Sequence, residues 1–319
     1  MSGIIDSYGR SFKVLRVSLL NRCNLGCVYC TENADDLRHA NAIAGKVYLE
    51  NSELLNIISR LHKILDLKTI RLTGGEPLLY PKLNEIVKGI FDLGIEDIKL
   101  TTNGMLLDRQ AALLKEAGLN SINVSLDAVD ENAFFRINRR DGLKKVLSGI
   151  DAAIEAGMDV KLNAVILKGI NDDQVLPLLE YAAGKNVVIR FLEVMAMGHL
   201  HKDPYKYFFG QEEILNVIRT QYEVNRMDRL SSATANYWHT DAGFKFGIIA
   251  NESAPFCHDC NRLRLDSEGK IFGCLSSNDG IDIKNLSEVE VVDALKVALK
   301  QKQALKFVGS ELSMLHIGG

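Results

Sequence analysis

The chain has 319 residues, 47% of them hydrophobic and 25% charged, which are the proportions of an ordinary folded protein and disfavour disordered, collagen-like and membrane-spanning classes. Its 38 basic and 41 acidic residues leave a formal net charge of −3, which argues against a protein that coats nucleic acid or an anionic membrane. An anionic ligand therefore has to be held by a local group of basic side chains. Residues 1–8 lack the basic flank and apolar run of a secretory signal, so we expect a cytoplasmic location.

Short apolar runs typical of β-strands alternate with amphipathic helical stretches between residues 14 and 194. The predicted strands are 14–20, 68–73, 97–101, 121–126, 160–166 and 187–193. The predicted helices include 83–93, 108–117, 142–156 and 173–183. Each of these helices is closed by a glycine at the position of a C-cap, namely Gly94, Gly118, Gly157 and Gly184. Strand and helix repeated in this order predict parallel βαβ units.

Polar residues follow several of these strands, as at 73–76, 101–104 and 125–127. Active sites of βα barrels are assembled at that rim, so we predict an α/β fold whose six units form a partial (β/α)6 TIM-like barrel over residues 1–198. Residues 199–210 are an aromatic, loop-like insert. The remainder of 199–319 is expected to form a smaller C-terminal α+β portion that ends in a helix over 288–302.

Three cysteines, Cys23, Cys27 and Cys30, come directly after the first strand. In a reducing compartment, clustered cysteines more often bind metal or take part in redox chemistry than form disulfides. A structural zinc site or a simple ferredoxin-type cluster needs four ligands, so three in one loop indicate an iron with an open coordination position. The alternative is a zinc knuckle with His39 or an acidic residue as the fourth ligand.

A second triad, Cys257, Cys260 and Cys274, lies in the C-terminal region. It predicts a second iron–sulfur cluster with an open iron, whereas a zinc site completed by His258 is the alternative; that histidine is adjacent to Cys257 and so poorly placed to share its metal. Arg262 and Arg264 follow at once and project to the same side of an extended segment. Paired guanidinium groups beside a cluster suit a phosphorylated ligand.

The first cysteine motif, with Tyr29 before its last member, and the glycine turn at 73–77 together resemble the radical S-adenosylmethionine (SAM) superfamily. The resemblance implies a [4Fe-4S] cluster that cleaves SAM to a 5′-deoxyadenosyl radical. At the end of the second strand, glycine can bend the backbone and let a ligand approach its amides. The resemblance also implies that the glycine turn holds the methionine amino group.

Over nearly the whole chain the sequence is similar to the GTP 3′,8-cyclase family, also called molybdenum cofactor biosynthesis protein A. The matching stretches are 16–18, 70–77, 100–104, 122–127, 168–172, 189–191, 256–264 and 318–319. The resemblance implies a lyase that converts GTP to 3′,8-cyclo-7,8-dihydro-GTP, the first step of molybdenum cofactor (molybdopterin) biosynthesis. In that reaction the adenosyl radical removes the ribose 3′ hydrogen, the carbon radical adds to C8 of guanine, and reduction completes the product.

The resemblance also implies the roles of individual residues. The first [4Fe-4S] cluster is held by Cys23, Cys27 and Cys30, and the second by Cys257, Cys260 and Cys274. The positions that match SAM contacts are Tyr29, Gly75, Ser125 and Met195. The positions that match GTP contacts are Arg16, Arg71, Thr101, Lys161, Arg262 and Arg264. The catalytic positions are Arg16, Arg262, Arg264, Gly318 and Gly319, the two glycines because the family's C-terminal tail reaches into the active site.

The chain departs from the family pattern in three places. Thr69 stands where many members have a lysine that binds substrate phosphates, Thr31 and Glu32 replace the Met-Pro after the third cysteine, and the tail after Cys274 is shorter. A paralogue acting on another purine nucleotide stays open. So do a radical SAM enzyme that modifies a peptide, although such enzymes usually carry more C-terminal cysteines, and a non-catalytic iron–sulfur protein that binds nucleotides.

The resemblance further implies partners. These are GTP, an external electron donor, a cyclic pyranopterin monophosphate synthase acting downstream, and a second copy of the chain in a homodimer. Neither a nucleic acid nor a membrane partner is expected.

Overall fold

The computed structural model describes residues 4–33, 48–203 and 205–318, so His39 and Gly319 lie outside it. Its strands are β1 (Val14–Ser18), β2 (Thr69–Thr73), β3 (Asp97–Thr102), β4 (Ser121–Ser125), β5 (Asp159–Ile166), β6 (Val188–Glu193), β7 (Val224–Arg226), β8 (Asn236–Thr240), β9 (Lys245–Ile249), β10 (Arg262–Leu265), β11 (Lys270–Phe272) and β12 (Ile281–Asp282). Its α-helices are α1 (Asn51–Leu65), α2 (Leu83–Asp92), α3 (Ala111–Glu116), α4 (Glu131–Asn138), α5 (Leu143–Glu155), α6 (Val175–Gly184), α7 (Gln211–Arg219), α8 (Glu288–Lys300) and α9 (Met314–Ile317).

The twelve strands in the described part of the chain form one sheet in the order β12-β11-β10-β1-β2-β3-β4-β5-β6-β9-β8-β7. Neighbours from β1 to β6 are parallel, as the βαβ pattern predicts. The partial TIM-like barrel is therefore confirmed. Two C-terminal strands also pair in parallel with it, β10 with β1 and β9 with β6, so the C-terminal region extends both edges of the barrel sheet. The division at residue 198 stays a prediction.

Alternation along the strands separates an apolar layer from a polar barrel interior. In β1 and β2 the side chains of Leu15, Val17, Ile70 and Leu72 are fully buried against the helices. Successive side chains of a strand point to opposite faces, so the residues between them face the interior. The interior rows are consequently polar and basic, and the core that stabilises the fold lies between sheet and helices.

The predicted glycine caps are correct at three helices and wrong at one. Gly94, Gly118 and Gly157 have φ values of +85°, +110° and +71°, the left-handed conformation that glycine adopts without strain. Gly184 is instead the last residue of α6, and the left-handed residue is Asn186 with φ +54°. Asparagine tolerates this conformation better than most residues, so it ends the turn two positions later.

Several other element boundaries differ from the sequence-based expectation. The predicted helix 108–117 begins only at Ala111, after a 3-10 turn over Leu107–Arg109. The insert at 199–210 opens with a 3-10 helix, Gly198–Lys202, instead of a simple loop. No helix in the described ranges is long and apolar enough to cross a bilayer.

Candidate active site

A cavity of about 190 Å³ opens at the C-terminal ends of the barrel strands. All three N-terminal cysteines line it, Cys23, Cys27 and Cys30. Their loop leaves β1 and is fixed on the end of α4, because the amides of Gly26 and Val28 donate to the carbonyl oxygens of Asn138 and Ile137 at 3.0 and 2.9 Å. The short spacing of the cysteines thus becomes one loop wrapped around one side of the cavity.

The chemistry of this donor set fits an iron cluster. Burial raises the pKa of Cys23 to about 11, and burial together with the neighbouring cysteines raises the pKa values of Cys27 and Cys30 further. Without a metal all three are thiols, and the Cys27 Sγ donates to Asn138 Oδ1 at 3.0 Å. Three thiolates at such a site need the positive charge of bound iron to offset burial and mutual repulsion.

The glycine turn after β2 packs against the backbone that leads into the cysteine loop. A Cβ on Gly75 would lie 2.1 Å from the carbonyl oxygen of Arg22, and one on Gly74 would lie 2.6 Å from that of Leu20. The Gly75 amide donates to the Leu20 carbonyl at 2.7 Å. This amide is therefore unavailable to a ligand, contrary to the expectation that a ligand approaches the amides of the turn.

The four positions matched to SAM contacts come together although they lie far apart in the sequence. The cavity that contains the cysteines is also lined by Tyr29, Gly75, Ser125 and Met195. The Tyr29 hydroxyl donates to Asp127 Oδ2 at 2.9 Å, and the Val165 amide donates to the other oxygen at 2.8 Å. Burial raises the pKa of Asp127 to about 6, although both hydrogen bonds favour its charged form.

Glu76 and Asn103 organise the cavity wall and were not predicted as site residues. The buried Glu76 carboxylate accepts from Thr102 Oγ1 at 2.5 Å and from the Asn103 amide at 2.7 Å. Burial raises its pKa to about 7. The Asn103 side chain reaches Cys23 Sγ at 3.7 Å, so this carboxylate positions a residue that touches the cysteine loop. The sequence signal that could have indicated this role is an acidic residue directly after the Gly-Gly pair.

A row of inward basic side chains crosses the barrel below the cavity. Arg264 of β10 lies opposite Arg16 of β1, and Arg16 lies opposite Arg71 of β2. Neighbouring strands are separated by about 4.8 Å, so the three guanidinium groups share one region of the interior. Arg262 lies one inward position below Arg264 on the same strand.

Electrostatic repulsion marks this region as a site for an anion. Burial and the neighbouring arginines lower the pKa of Arg16 well below its usual value, and burial, again with other arginines nearby, lowers the pKa values of Arg71 and Arg264 to about 10. The Nε atoms of Arg16 and Arg190 are buried and have no hydrogen-bond partner among the described residues. An anionic ligand would supply both the charge and the acceptors that are missing.

Arg190 joins this region although it was not predicted, and Lys161 stands at its margin. Arg190 lies on β6 opposite Asn163, buried, and contributes to lowering the pKa of Arg16. It was missed because an arginine within the apolar run 187–193 gives no sign of facing the interior. Lys161 lies lower on β5 and forms an ion pair with Asp159.

The second triad lies at the opposite end of the barrel from the first. Cys257 and Cys260 precede β10, whereas Cys23 follows β1, and those two strands are parallel neighbours. Cys274 follows β11, which returns antiparallel to β10. The arginine row therefore lies between the two triads. Cys274 and Cys260 are close enough to Arg264 to raise its pKa, although burial and Arg262 lower it overall.

A zinc site at this triad would need His258 as its fourth ligand. The His258 side chain is 67% exposed and its Nε2 lies 3.9 Å from Asp259 Oδ2. Across 4–33, 48–203 and 205–318, no three His, Cys, Asp or Glu side chains are grouped as ligands of one metal ion. An iron–sulfur cluster does not need its three cysteines around one ion, since each cysteine then binds a different iron.

One cysteine of the second triad is held as a thiolate by cations. Cys260 Sγ accepts from Arg262 Nε at 3.3 Å and from Lys302 Nζ at 3.2 Å. Burial opposes ionisation, but the two cations outweigh it and lower the pKa of Cys260 to about 6. Burial, with the other two cysteines nearby, raises the pKa of Cys257 to about 11. The triad thus combines a ready thiolate with a thiol that needs metal to ionise.

The C-terminal tail enters the barrel. Arg264 donates from Nη1 to the carbonyl oxygens of Gly318 and Ile317, the latter at 3.3 Å. Gly318 has φ +73°, and a Cβ there would lie 2.6 Å from Thr73 Cγ2. Both the backbone conformation and the space therefore require glycine. Gly319, the other predicted tail residue, lies outside the described residues.

Comparisons with known proteins agree with this arrangement. The family model for "Radical SAM superfamily" matches residues 17–182, and the model for "Molybdenum Cofactor Synthesis C" matches residues 187–308. The chain is 38% identical over 317 residues to the GTP 3′,8-cyclase of a Synechocystis species, covering 99% of this chain and 95% of the relative. It is 40% identical over 297 residues to that of Staphylococcus epidermidis, covering 89% of this chain and 84% of the relative.

Solved structures agree at the level of the fold. Streptococcus suis SuiB bound to the precursor peptide SuiA matches with a TM-score of 0.68 at 14% identity, over 91% of this chain and 67% of that one. SuiB bound to S-adenosylmethionine matches with a TM-score of 0.63 at 13% identity, over 90% and 66%. The sequence likeness over nearly the full length is more specific: the chain belongs to the radical SAM superfamily and, within it, to the GTP 3′,8-cyclase family.

Proposed function

We propose that this chain converts GTP to 3′,8-cyclo-7,8-dihydro-GTP in molybdenum cofactor biosynthesis, with GTP in the barrel interior between the two cysteine triads. The observation that carries the proposal is the group of inward arginines, Arg16, Arg71, Arg262 and Arg264, located between two separate sets of three cysteines. A nucleoside triphosphate carries about four negative charges, which match this cationic region within a chain of net charge −3.

The first cysteine triad would hold the [4Fe-4S] cluster that membership of the radical SAM superfamily implies. When bound, that cluster and SAM supply a 5′-deoxyadenosyl radical. Tyr29, Gly75, Ser125 and Met195 would hold SAM along the cavity wall, where they already lie beside the cysteines. Their role is to fix SAM in one orientation, because a misplaced radical reacts with the wrong C–H bond.

The second cysteine triad would hold a further [4Fe-4S] cluster beside the guanine base. Cys257, Cys260 and Cys274 are its ligands, and Lys302 and Arg262 favour the charged form of one of them. Three protein ligands leave one iron open for an atom of the substrate. This arrangement would fix the base at the lower end of the barrel.

The phosphate groups would bind to the basic side chains, with Thr101 and Lys161 completing the site. The Thr101 hydroxyl lies 3.5 Å from Arg71 Nη1, so both side chains face the same part of the interior. Arg16, Arg262 and Arg264 would in addition act in catalysis, because a cation beside the base stabilises negative charge that develops during reduction of the product. Gly318 and Gly319 would close the site against water.

The remaining features follow from the same proposal. An external donor must supply electrons, the product passes to a cyclic pyranopterin monophosphate synthase, the chain forms a homodimer, and the reaction takes place in the cytoplasm. A paralogue acting on another purine nucleotide would use the same arginines. It would differ in the contacts that the base makes near the second triad.

The test is anaerobic reconstitution with iron and sulfide, followed by incubation with SAM, a reductant and GTP and mass spectrometry of the products. We expect 5′-deoxyadenosine and the cyclic nucleotide together. Cys23→Ala should abolish both products, whereas Cys274→Ala should lose only the nucleotide product. Deoxyadenosine without any GTP-derived product in the wild type would refute GTP as the substrate, and full cyclase activity of Cys274→Ala would refute the role of the second triad.

A further inference from the structure

Two lysines of the barrel interior have nearly the same surroundings, but only one of them matches a predicted substrate position. Lys161 follows Asp159 by two residues on β5, and Lys99 follows Asp97 by two residues on β3. Each lysine forms an ion pair with its aspartate, at 2.8 Å for Lys99. Their side chains are 28% and 29% exposed. The two lysines therefore lie on the strands on either side of β4, Lys99 in register with Ser121 and Lys161 one inward position higher, in register with Asn123.

Lys99 also extends the arginine row by one strand. It lies opposite Arg71, which lies opposite Arg16, which lies opposite Arg264. Ile98 and Leu100 on either side are fully buried in the apolar layer, so Lys99 is on the interior face together with Thr101. Four adjacent strands thus place one cation each at the same level of the barrel.

Thr69 takes part in positioning Lys99. The Thr69 hydroxyl donates to Asp97 Oδ2 at 2.6 Å, and Lys99 Nζ donates to the same oxygen. Asp97 is therefore held from two strands and holds the lysine at the mouth of the interior. A lysine stem is flexible enough to move its ammonium group from this carboxylate to a phosphate that arrives beside it.

We propose that Lys99 binds the outer phosphates of the nucleotide as the partner of Lys161, and that it contributes to the preference for a triphosphate over a monophosphate. The inference rests on the proposed function and adds a residue that the family resemblance does not assign. In this chain Lys99 supplies from β3 the positive charge that Thr69 does not supply from β2.

The chain contains a matched control for this assignment. Lys68 also follows an aspartate by two residues and pairs with Asp66 at 2.8 Å, but its side chain is 67% exposed and it precedes β2. A lysine that serves only a local ion pair should behave like Lys68. A lysine that binds phosphate should behave like Lys161.

The experiment measures equilibrium binding of GTP and of GMP to anaerobically reconstituted protein, together with kcat and KM, for Lys99→Met, Lys99→Arg, Lys161→Met and Lys68→Met. We expect Lys99→Met and Lys161→Met to weaken GTP binding by about tenfold, the loss of one charge-assisted hydrogen bond. GMP binding should change by less than about twofold, and the effect should appear mainly in KM. Lys99→Arg should restore most of the affinity, and Lys68→Met should bind like the wild type.

Iron content and circular dichroism matching the wild type establish that the variants are folded. GTP affinity of Lys99→Met equal to that of the wild type, or an equal loss for GTP and GMP, overturns the assignment while the proposed function stands. A wild-type protein that binds no GTP overturns the proposed function, and the inference with it.

Discussion

At the scale of single residues, the inward arginines are the most informative feature. Burial, together with repulsion from neighbouring arginines, holds the pKa values of Arg16, Arg71 and Arg264 below the usual range. The folded state loses stability through this burial and repulsion wherever the arginines are charged in both the folded and the unfolded chain. For Arg71 this loss of stability is fully present at neutral pH. It would be relieved only as the pH rises from about 10 to 12.5, the range in which the unfolded chain binds more protons than the folded one. A bound anion provides the relief at neutral pH.

Arg71→Met should therefore separate stability from binding. We expect the ligand-free variant to be more stable by about 1–2 kcal/mol, because an uncompensated charge is replaced by an apolar side chain of similar length. GTP should bind at least about tenfold more weakly. Thermal denaturation with and without GTP measures both effects, and a ligand-free variant that is less stable than the wild type would argue against the repulsion.

Lys302 is a second informative residue, because it is a lysine with only 6% exposure. It donates to Cys260 Sγ at 3.2 Å and to the Arg262 carbonyl at 2.9 Å, and its ammonium group lies 5.1 Å from the centre of the Phe12 ring. Hydrogen bonds to the sulfur ligands of a cluster stabilise its reduced state.

Lys302→Met should accordingly lower the reduction potential of the second cluster by roughly 40 mV, the one-electron equivalent of a hydrogen bond of about 1 kcal/mol. The potential is best measured by electron paramagnetic resonance in a background that lacks the first three cysteines. Lys300→Met, at the exposed end of α8, is the control. An intact cluster with unchanged potential in Lys302→Met would show that the bond to Cys260 does not influence it.

At the scale of elements, the barrel strands were predicted well, whereas the helices between them were predicted only in part. The six barrel strands lie within two residues of their predicted bounds, because each combines an apolar face with a polar one. Two helices of the barrel, α1 and α4, were not among those predicted, and neither were α7 and α9 of the C-terminal region. α1 carries a usable signal, since Glu50 and Glu53 form a capping box before buried Leu54 and Ile57.

The pairing of β10 with β1 and of β9 with β6 could not be predicted. Val14 and Arg262 are register partners although almost the whole chain separates them. An amphipathic pattern states which face of a strand is buried but does not name the neighbouring strand. For the same reason the sequence could not place Lys99 in the arginine row or Arg190 near it, since both placements depend on register.

The C-terminal tail is the element with the sharpest expected phenotype. The Gly318 carbonyl oxygen accepts from Arg264, and two further residues of the tail, Met314 and Leu315, line the cavity that contains the first triad. A chain that ends at Ile317 should keep its iron and still cleave SAM, but should form no cyclic nucleotide. Mass spectrometry and iron analysis measure the three quantities, and unchanged formation of the product would contradict a role for the tail.

At the scale of the whole molecule, a slightly acidic chain has a basic barrel interior. The net charge of −3 argues against binding to extended polyanions, and the structure places basic side chains inside the barrel, between the two triads. The two groups of cysteines in the sequence lie at the two ends of the barrel. The sequence therefore predicted which residues form the candidate site, while their order along the barrel axis required the fold.

Iron analysis tests this division. The reconstituted wild type should contain about eight irons per chain, and both Cys274→Ala and Cys23→Ala about four, since each variant loses one four-iron cluster. Total iron and acid-labile sulfide provide the measurement. A wild-type content of about four would leave only the first triad as a cluster site.

In the proposed reaction, the radical removes the 3′ hydrogen of GTP bound between the triads. The most direct measurement supplies GTP carrying deuterium at C3′ and records the mass of the 5′-deoxyadenosine formed by the complete system. We expect deuterium to appear in the deoxyadenosine in step with formation of the cyclic nucleotide. Deoxyadenosine that stays unlabelled while the labelled nucleotide is consumed, or that forms equally without GTP, would contradict it.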